Sequence, residues 1–464
     1  SFANNCVTIG MSLAMLIIMR VKMRFRTKEI VAGGAVIVGI LVYMCGTTHN
    51  YYVFIGANLI IGFIKMFMML EIIIVVMFIL SPTGDRRQFY SIFYPIAIGS
   101  SSIMFKYVSE LVFDQGIQSA YILFGCIMFG LAALSIIFQH NQRFSFKLPL
   151  YQIDWLSIFL LGGSFMCMNY VLVFCKQQNW FNSPYIQINA ILSILFMAFL
   201  VWRQKSQKRK LIHFEAFLLP NVKHSIVLLI FLGIYLSSAS VYVTWTMASL
   251  GYNNLVNADL GLWGVPPLIL GGALSMIGFK KGWNLKYFVL LGFGAFFVHS
   301  LLLYFILQPN MNVEMFYLIL MVRNFGMVVL FISIWFYATG SLPQQVSMGV
   351  TAILLSFRTF FATALGGAII GYFSTQMQMQ SLSDMSNYWD VNMMGPAAMR
   401  GYGAMQIGSL LAAGKTLMGW LCWLFVPLAL FILAHDYGRN NTRKYVLYKK
   451  LKSGQPLRGY RLRA

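Results

Sequence analysis

Thirteen apolar stretches, most about 17–25 residues long, constrain this chain more than any other feature. They run approximately Cys6–Met19, Ile30–Cys45, Tyr52–Leu80, Phe89–Phe113, Ala120–Phe138, Trp155–Phe174 and Ile186–Trp202, then Ser225–Trp245, Leu260–Phe279, Tyr287–Leu307, Met315–Ala338, Met348–Tyr372 and Leu417–Ala434. A segment inside a bilayer has no water to satisfy its amides, so each stretch must close its hydrogen bonds on itself as a helix. The roughly ten-residue alternating segments of a transmembrane barrel are absent from the sequence. The expectation is an all-α polytopic membrane protein with thirteen spans.

Composition agrees. Of the 464 residues 59% are hydrophobic and 10% charged, against about 25% charged in soluble domains. The net charge of +22 does not point to nucleic acid. The basic residues fall in short runs between apolar stretches and match no nucleic-acid module. They fix orientation instead. With Ser1 outside and the spans alternating, 27 of the 34 Lys and Arg residues fall on the inner side and three on the outer. The inner set holds Arg20–Lys28, Arg203–Lys223 and the basic tail 439–464, which faces anionic headgroups. An outside start at Ser1 leads us to expect a further helix ahead of this numbering. The segment Ser374–Lys415, rich in Met, Gln, Ser, Asn and Gly, reads as an outer polar loop carrying a short surface helix.

Six cysteines show no CxxC pair and no zinc spacing, and act as small apolar residues. No metal site and no cofactor motif is present in the sequence. His299 stands alone inside a span. HExxH and GxSxG signatures are missing, so enzymatic chemistry is not expected.

Several segments carry a family likeness. After the first span comes MRVKMRFRTK, residues 19–28, in which Arg24 and Lys28 occupy basic positions of a G-x-x-x-D-R-x-G-R-K loop, with Met23 in place of the aspartate. Of an R-x-x-x-G pattern Gly62 is present, with Asn58 where the arginine would stand. Pro95 and Gly99 followed by three serines resemble a glycine–proline helix motif. Asp154-Trp155 and Asn179-Trp180 flank an extra span, and FEAFLLPN lies ahead of the next bundle. Later come MVRNFGMVVLF, with Arg323 and Gly326, Pro343 in the next inner loop, and SFRTFFATALGGAIIGY, with Arg358, Gly366, Gly367 and Gly371. In order and spacing these segments resemble the fourteen-helix drug:proton antiporters (EmrB/QacA-like) of the major facilitator superfamily.

That resemblance implies two six-helix bundles plus two inserted helices, here without the first helix. It divides the chain into an N-terminal bundle, 1–138, two inserted helices with a basic loop, 139–224, a C-terminal bundle, 225–438, and the tail, 439–464. It implies a bacterial inner-membrane, multi-pass protein with a cytoplasmic C-terminus. It further implies proton-coupled export of amphipathic or hydrophobic small molecules, with an adaptor and an outer-membrane channel as possible partners.

Ionisable residues within spans are costly and therefore candidate functional groups. Glu71 and Glu110 are the candidate proton carriers. Lys65, Lys106, Arg323 and Arg358 are the intramembrane charge partners, and Asp259 lies at a span edge. Lys106 and Glu110, four apart, share a helix face. Lys65 and Glu71 do not, so each is expected to find a partner on another helix. Arg358, near an inner end, is expected to snorkel. The competing reading is a membrane interaction or sensor protein of the same fold that does not transport.

Overall fold

A computed structural model describes residues 2–80, 86–141, 149–207, 211, 219–309, 311–339, 350–351, 354–387 and 397–437. The tail 439–464, the basic residues Arg143, Lys147, Lys208, Arg209 and Lys210, and Pro343 lie outside the described residues, as does most of FEAFLLPN. The first group of helices is α1 (Phe2–Arg24), α2 (Gly34–Thr47), α3 (Tyr51–Leu80), α4 (Arg86–Gln115) and α5 (Ile117–Phe138). A hairpin follows, α6 (Trp155–Phe174) and α7 (Pro184–Ser206). The second group is α8 (Pro220–Ser237), α9 (Ala239–Ala248), α10 (Asn254–Leu262), α11 (Val265–Lys280), α12 (Leu285–Ile306), α13 (Met315–Thr339), α14 (Thr363–Ser386) and α15 (Ala397–Ala434). No strand occurs among the described residues.

Twelve helical segments among the described residues are long and apolar enough to cross a membrane, and α1 adds a shorter apolar stretch, Phe2–Ile18. The protein is a polytopic helical membrane protein. Two of the spans are broken, α8 with α9 at Ser238 and α10 with α11 at Trp263–Gly264. Two others begin with π-helical turns, Glu29–Gly33 ahead of α2 and Phe357–Ala362 ahead of α14.

The expected outer loop Ser374–Lys415 is corrected by the structure. Helix α14 continues to Ser386 and α15 already begins at Ala397, so most of that segment is helical. Met, Gln and Ala favour helix once an adjoining span has nucleated it. The 38 residues of α15 extend about 57 Å, well beyond a 30 Å hydrocarbon core.

Within the first group α1 packs along α3, and α2 packs against α3 and α5. The second group is built on α12 against α13 and α15, α11 against α13, and α8 against α14. Helix α4 joins the groups by lying on α10, α11 and α13. The hairpin attaches to both through α6, which contacts α1 and α14.

Small residues let backbones meet at two of these crossings. A Cβ on Gly62 would strike the Val7 carbonyl, and one on Gly10 would strike the Leu59 carbonyl, so α1 and α3 approach with nothing between them. Gly366 of α14 rests in the same way on the Gly233 backbone of α8, while Gly233 rests on the backbone of Ala362, the last residue of the π-helical turn ahead of α14.

The hairpin is closed by polar contacts at its buried face. Ser164 Oγ donates to the Ser193 carbonyl at 2.9 Å, and Ser193 Oγ donates to that of Ser164 at 3.0 Å. At the end of the hairpin Asp154 caps α6, accepting from the Ser157 amide at 3.4 Å and the Ser157 hydroxyl at 2.6 Å. Arg203 of α7 reaches the same carboxylate at 2.9 Å through Nη2, and its Nε also donates to it. Burial pushes the Asp154 carboxyl up, but the hydrogen bonds from Arg203 and Ser157 outweigh it and hold it below the usual carboxylate range.

Two predictions follow from this packing. Gly62→Leu should lower stability by about 1–3 kcal/mol through overpacking, read as an earlier thermal transition of the purified protein. Gly56→Leu, on the same helix with open space at its Cβ, should leave the transition unchanged. The folded Asp154 titrates below its unfolded counterpart, so its contribution is present above about pH 4 and is lost as pH falls through the folded value. Protection of the α6 and α7 amides against exchange, relative to the intrinsic rate at each pH, should therefore fall below about pH 4, and Asp154→Asn should flatten that dependence.

Candidate functional site

A charge inside a membrane persists only where a partner, a ring or a backbone carbonyl receives it. The first such site lies between α1 and α3. Lys22 Nζ is 2.7 Å from Glu71 Oε2, and both side chains are buried, at 9% and 2% exposure. The reading of residues 20–28 as a loop therefore needs correction, because α1 continues through Lys22 to Arg24. Lys22 lies on the same face as the buried Met15 and Ile18, seven and four residues earlier. That helical spacing is legible in the sequence and was masked by the density of neighbouring basic residues. Glu71, which has no partner on its own helix, has found one across the crossing. Lys65 is exposed, and Arg24 and Lys28 lie at the end of α1 and just after it.

The second site is the seam where α4 meets the second group. Tyr94 stacks on Phe331 of α13 with centroids 5.8 Å apart and planes at 23°. The Arg358 guanidinium, carried by the π-helical turn, sits 3.9 Å from the Phe331 centroid and 5.5 Å from that of Tyr94. It is turned onto these rings, and this corrects the expectation that it snorkels to the interface. One turn earlier on α4, the Tyr90 hydroxyl lies 3.3 Å from that of Thr339 on α13.

Lys106 is twelve residues beyond Tyr94, about 18 Å along α4. Its Nζ is 3.0 Å from Asp259 Oδ1 of α10 and 3.7 Å from Glu110 Oε1 of its own helix. Side-chain exposures of 29%, 50% and 41% for Lys106, Asp259 and Glu110 leave this triad partly uncovered by protein, unlike the buried Lys22–Glu71 pair. Sequence spacing indicated the Lys106–Glu110 contact. The shorter link to Asp259 crosses between helix groups and has no local signal. Helix α4 is thus tied to the second group near both ends, by a cation on aromatic rings at one and by an ion bridge at the other.

A third set of polar groups lies inside the second group. Arg323 Nη2 donates to the Leu236 carbonyl at 3.1 Å, at the break between α8 and α9, while its buried Nε has no partner among the described residues. His299 is fully buried, with Nδ1 3.1 Å from the Ile319 carbonyl. Where α8, α13 and the end of α15 meet, His224 and His435 stack 3.6 Å apart, Tyr337 bonds His435 at 2.6 Å and Tyr437 bonds His224 at 2.8 Å. No cluster of three His, Cys, Asp or Glu residues suited to a metal occurs among the described residues.

Removing one partner of the dry pair leaves the other buried without compensation. Glu71→Leu should cost about 3–5 kcal/mol, and Lys22→Met combined with Glu71→Leu should recover most of it. Thermal unfolding of the two single variants and the double variant measures this coupling.

No protein-family model and no curated protein matches the chain. Solved structures do. A POT family transporter in complex with 5-aminolevulinic acid aligns at 12% identity with a TM-score of 0.56, over 92% of this chain and 87% of that one. The nucleoside transporter NupG aligns at 12% identity and 0.51, over 93% and 90%. The human organic anion transporter MFSD10 aligns at 12% identity and 0.52, over 93% and 83%. At such identities the likeness is one of fold, and the fold is that of the major facilitator type.

Proposed function

We propose that the chain is a proton-coupled secondary transporter that exports amphipathic or hydrophobic small molecules by alternating access. The observation that carries the proposal is the partly exposed triad Lys106–Asp259–Glu110. It bridges two helix groups inside the membrane through bonds that a proton can break. Protonating Asp259, with Glu110 as the neighbouring proton acceptor, removes the charge that ties Lys106 across to α10. The seam can then open at that end while the Tyr94–Phe331–Arg358 stack holds the other. Reversal of the two contacts is alternating access by rocking of helix groups.

In this reading Glu110 exchanges the proton with Asp259 as its neighbour, and Glu71 is held by Lys22. The fold likeness to solved transporters supports a transporter, and the sequence motifs support the fourteen-helix drug:proton antiporters. Placement in a bacterial inner membrane with the C-terminus in the cytoplasm belongs to the same proposal. So do operation alongside an adaptor and outer-membrane channel, and contact of the basic tail with membrane lipids.

A second reading, a membrane interaction or sensor protein that does not transport, is favoured by one feature. Glu71, the most buried intramembrane carboxylate among the described residues, is closed in a 2.7 Å ion pair that suits a fixed strut. Proteoliposomes holding a pH dye separate the two. Under an imposed pH gradient, a panel of lipophilic cations and neutral amphiphiles should include a compound that dissipates it. Glu110→Gln and Asp259→Asn should abolish that proton movement, and Glu71→Gln should alter stability more than coupling. A folded wild-type protein that moves protons with none of the compounds would favour the sensor.

A further inference from the structure

The seam leaves one cavity unused. It has a volume of about 460 Å³ and lies between α8–α9, α14 and α15, with the α6–α7 connection reaching it through Lys176. That size falls within the range of small-molecule sites, about 300–1,000 Å³. Its walls divide into two kinds. Val241, Leu307, Leu410 and Leu411 are apolar, while Gly367, Gly371 and Gly414 keep the space open. Neither Gly367 nor Gly371 has any atom near its absent Cβ.

The polar lining is one-sided in charge. Lys176 is the only charged lining residue, and it makes no ion pair among the described residues. Thr244, Ser374 and Gln378 add side-chain donors without hydrogen-bond partners among the described residues. Trp245, 2% exposed, also lines this space, and its buried indole N–H has no partner among the described residues. A buried donor left unmade costs free energy, so such a group signals a missing acceptor.

Lys176 is placed there by a built connection. The Trp180 amide donates to the Cys175 carbonyl at 2.7 Å, and Gln178 Nε2 donates to the Tyr170 hydroxyl at 2.8 Å. Asn179 and Trp180 both hold positive φ, at 54° and 56°, a conformation that non-glycine residues adopt only when their surroundings require it. The Trp180 ring then packs edge-on against Tyr372 of α14, with centroids 4.7 Å apart. The hairpin thereby supplies the one cation that lines the cavity among the described residues and fixes it to a helix of the second group.

We infer that this cavity binds an anionic amphiphile, a molecule with one carboxylate or phosphate and an apolar chain. The head engages Lys176 and the neighbouring hydroxyl, amide and indole donors, and the chain lies along Val241, Leu307, Leu410 and Leu411. The inserted hairpin therefore acts as part of a ligand site. The inference is independent of the transport proposal, because binding is read without transport.

The test uses the full chain in phosphatidylcholine nanodiscs with 11-(dansylamino)undecanoate as a fluorescent probe. Lys176→Gln should weaken binding about tenfold, the scale of one charge-assisted contact, and Lys176→Arg should retain it. Gly371→Leu should abolish binding by filling the floor. Decanoate should displace the probe and decanol should not. Adding phosphatidylglycerol to the nanodiscs identifies the source: competition assigns the site to a lipid headgroup, and its absence assigns it to a free anion, either supporting the inference. Equal binding by wild type and Lys176→Gln, or equal displacement by decanol, overturns it.

Discussion

Lipid offers the backbone no hydrogen-bond partner, and every other feature of this protein follows from that. Each span closes its amides within itself. Helices then gain little from apolar contact with one another, because the surrounding chains are as apolar as they are. Association must come from close packing and from polar contacts that lipid cannot replace. The structure uses both. Gly10 with Gly62 and Gly233 with Gly366 bring backbones together. Asn5 of α1 donates to Asn169 of α6 at 2.8 Å, and Asn169 donates back to the Phe2 carbonyl at 3.1 Å.

The same constraint sorts the intramembrane charges by their access to water. Lys22–Glu71 is dry, so its strength comes with a heavy desolvation cost, and its geometry must be close to optimal to persist. Lys106, Asp259 and Glu110 are partly exposed, and their contacts are individually weaker. Strong, dry contacts suit permanent joints. Weak, wet ones suit joints that exchange. Arg358 belongs to neither kind, because its charge rests on ring faces and needs no anion.

Most of the fold was legible in the sequence, because the requirement for about twenty apolar residues per span leaves few alternatives. The outer segment was misread because Gln, Ser and Asn signal loops in soluble proteins, whereas here they continue helices already nucleated in the membrane, as α14 does through Gln376, Gln378 and Gln380. The site was legible only where it is local. Lys106 and Glu110 are four residues apart, and spacing revealed them. Asp259 is 153 residues from Lys106, Phe331 is 237 from Tyr94 and Lys22 is 49 from Glu71, and a single sequence carries no record of those distances. Lys176 was counted only as one of three cations on the outer side, since nothing local marks the cavity it enters.

The glycine crossings have a mechanical consequence. Where carbonyl rests against helix backbone there is no soft side chain to absorb displacement, and interiors packed in this way respond to force as solids. Such a crossing behaves as a welded bearing: it transmits torque from one helix to the next without yielding. The compliance of the molecule is thereby pushed elsewhere, into the π-helical turn at Glu29–Gly33 and into the side-chain seam along α4.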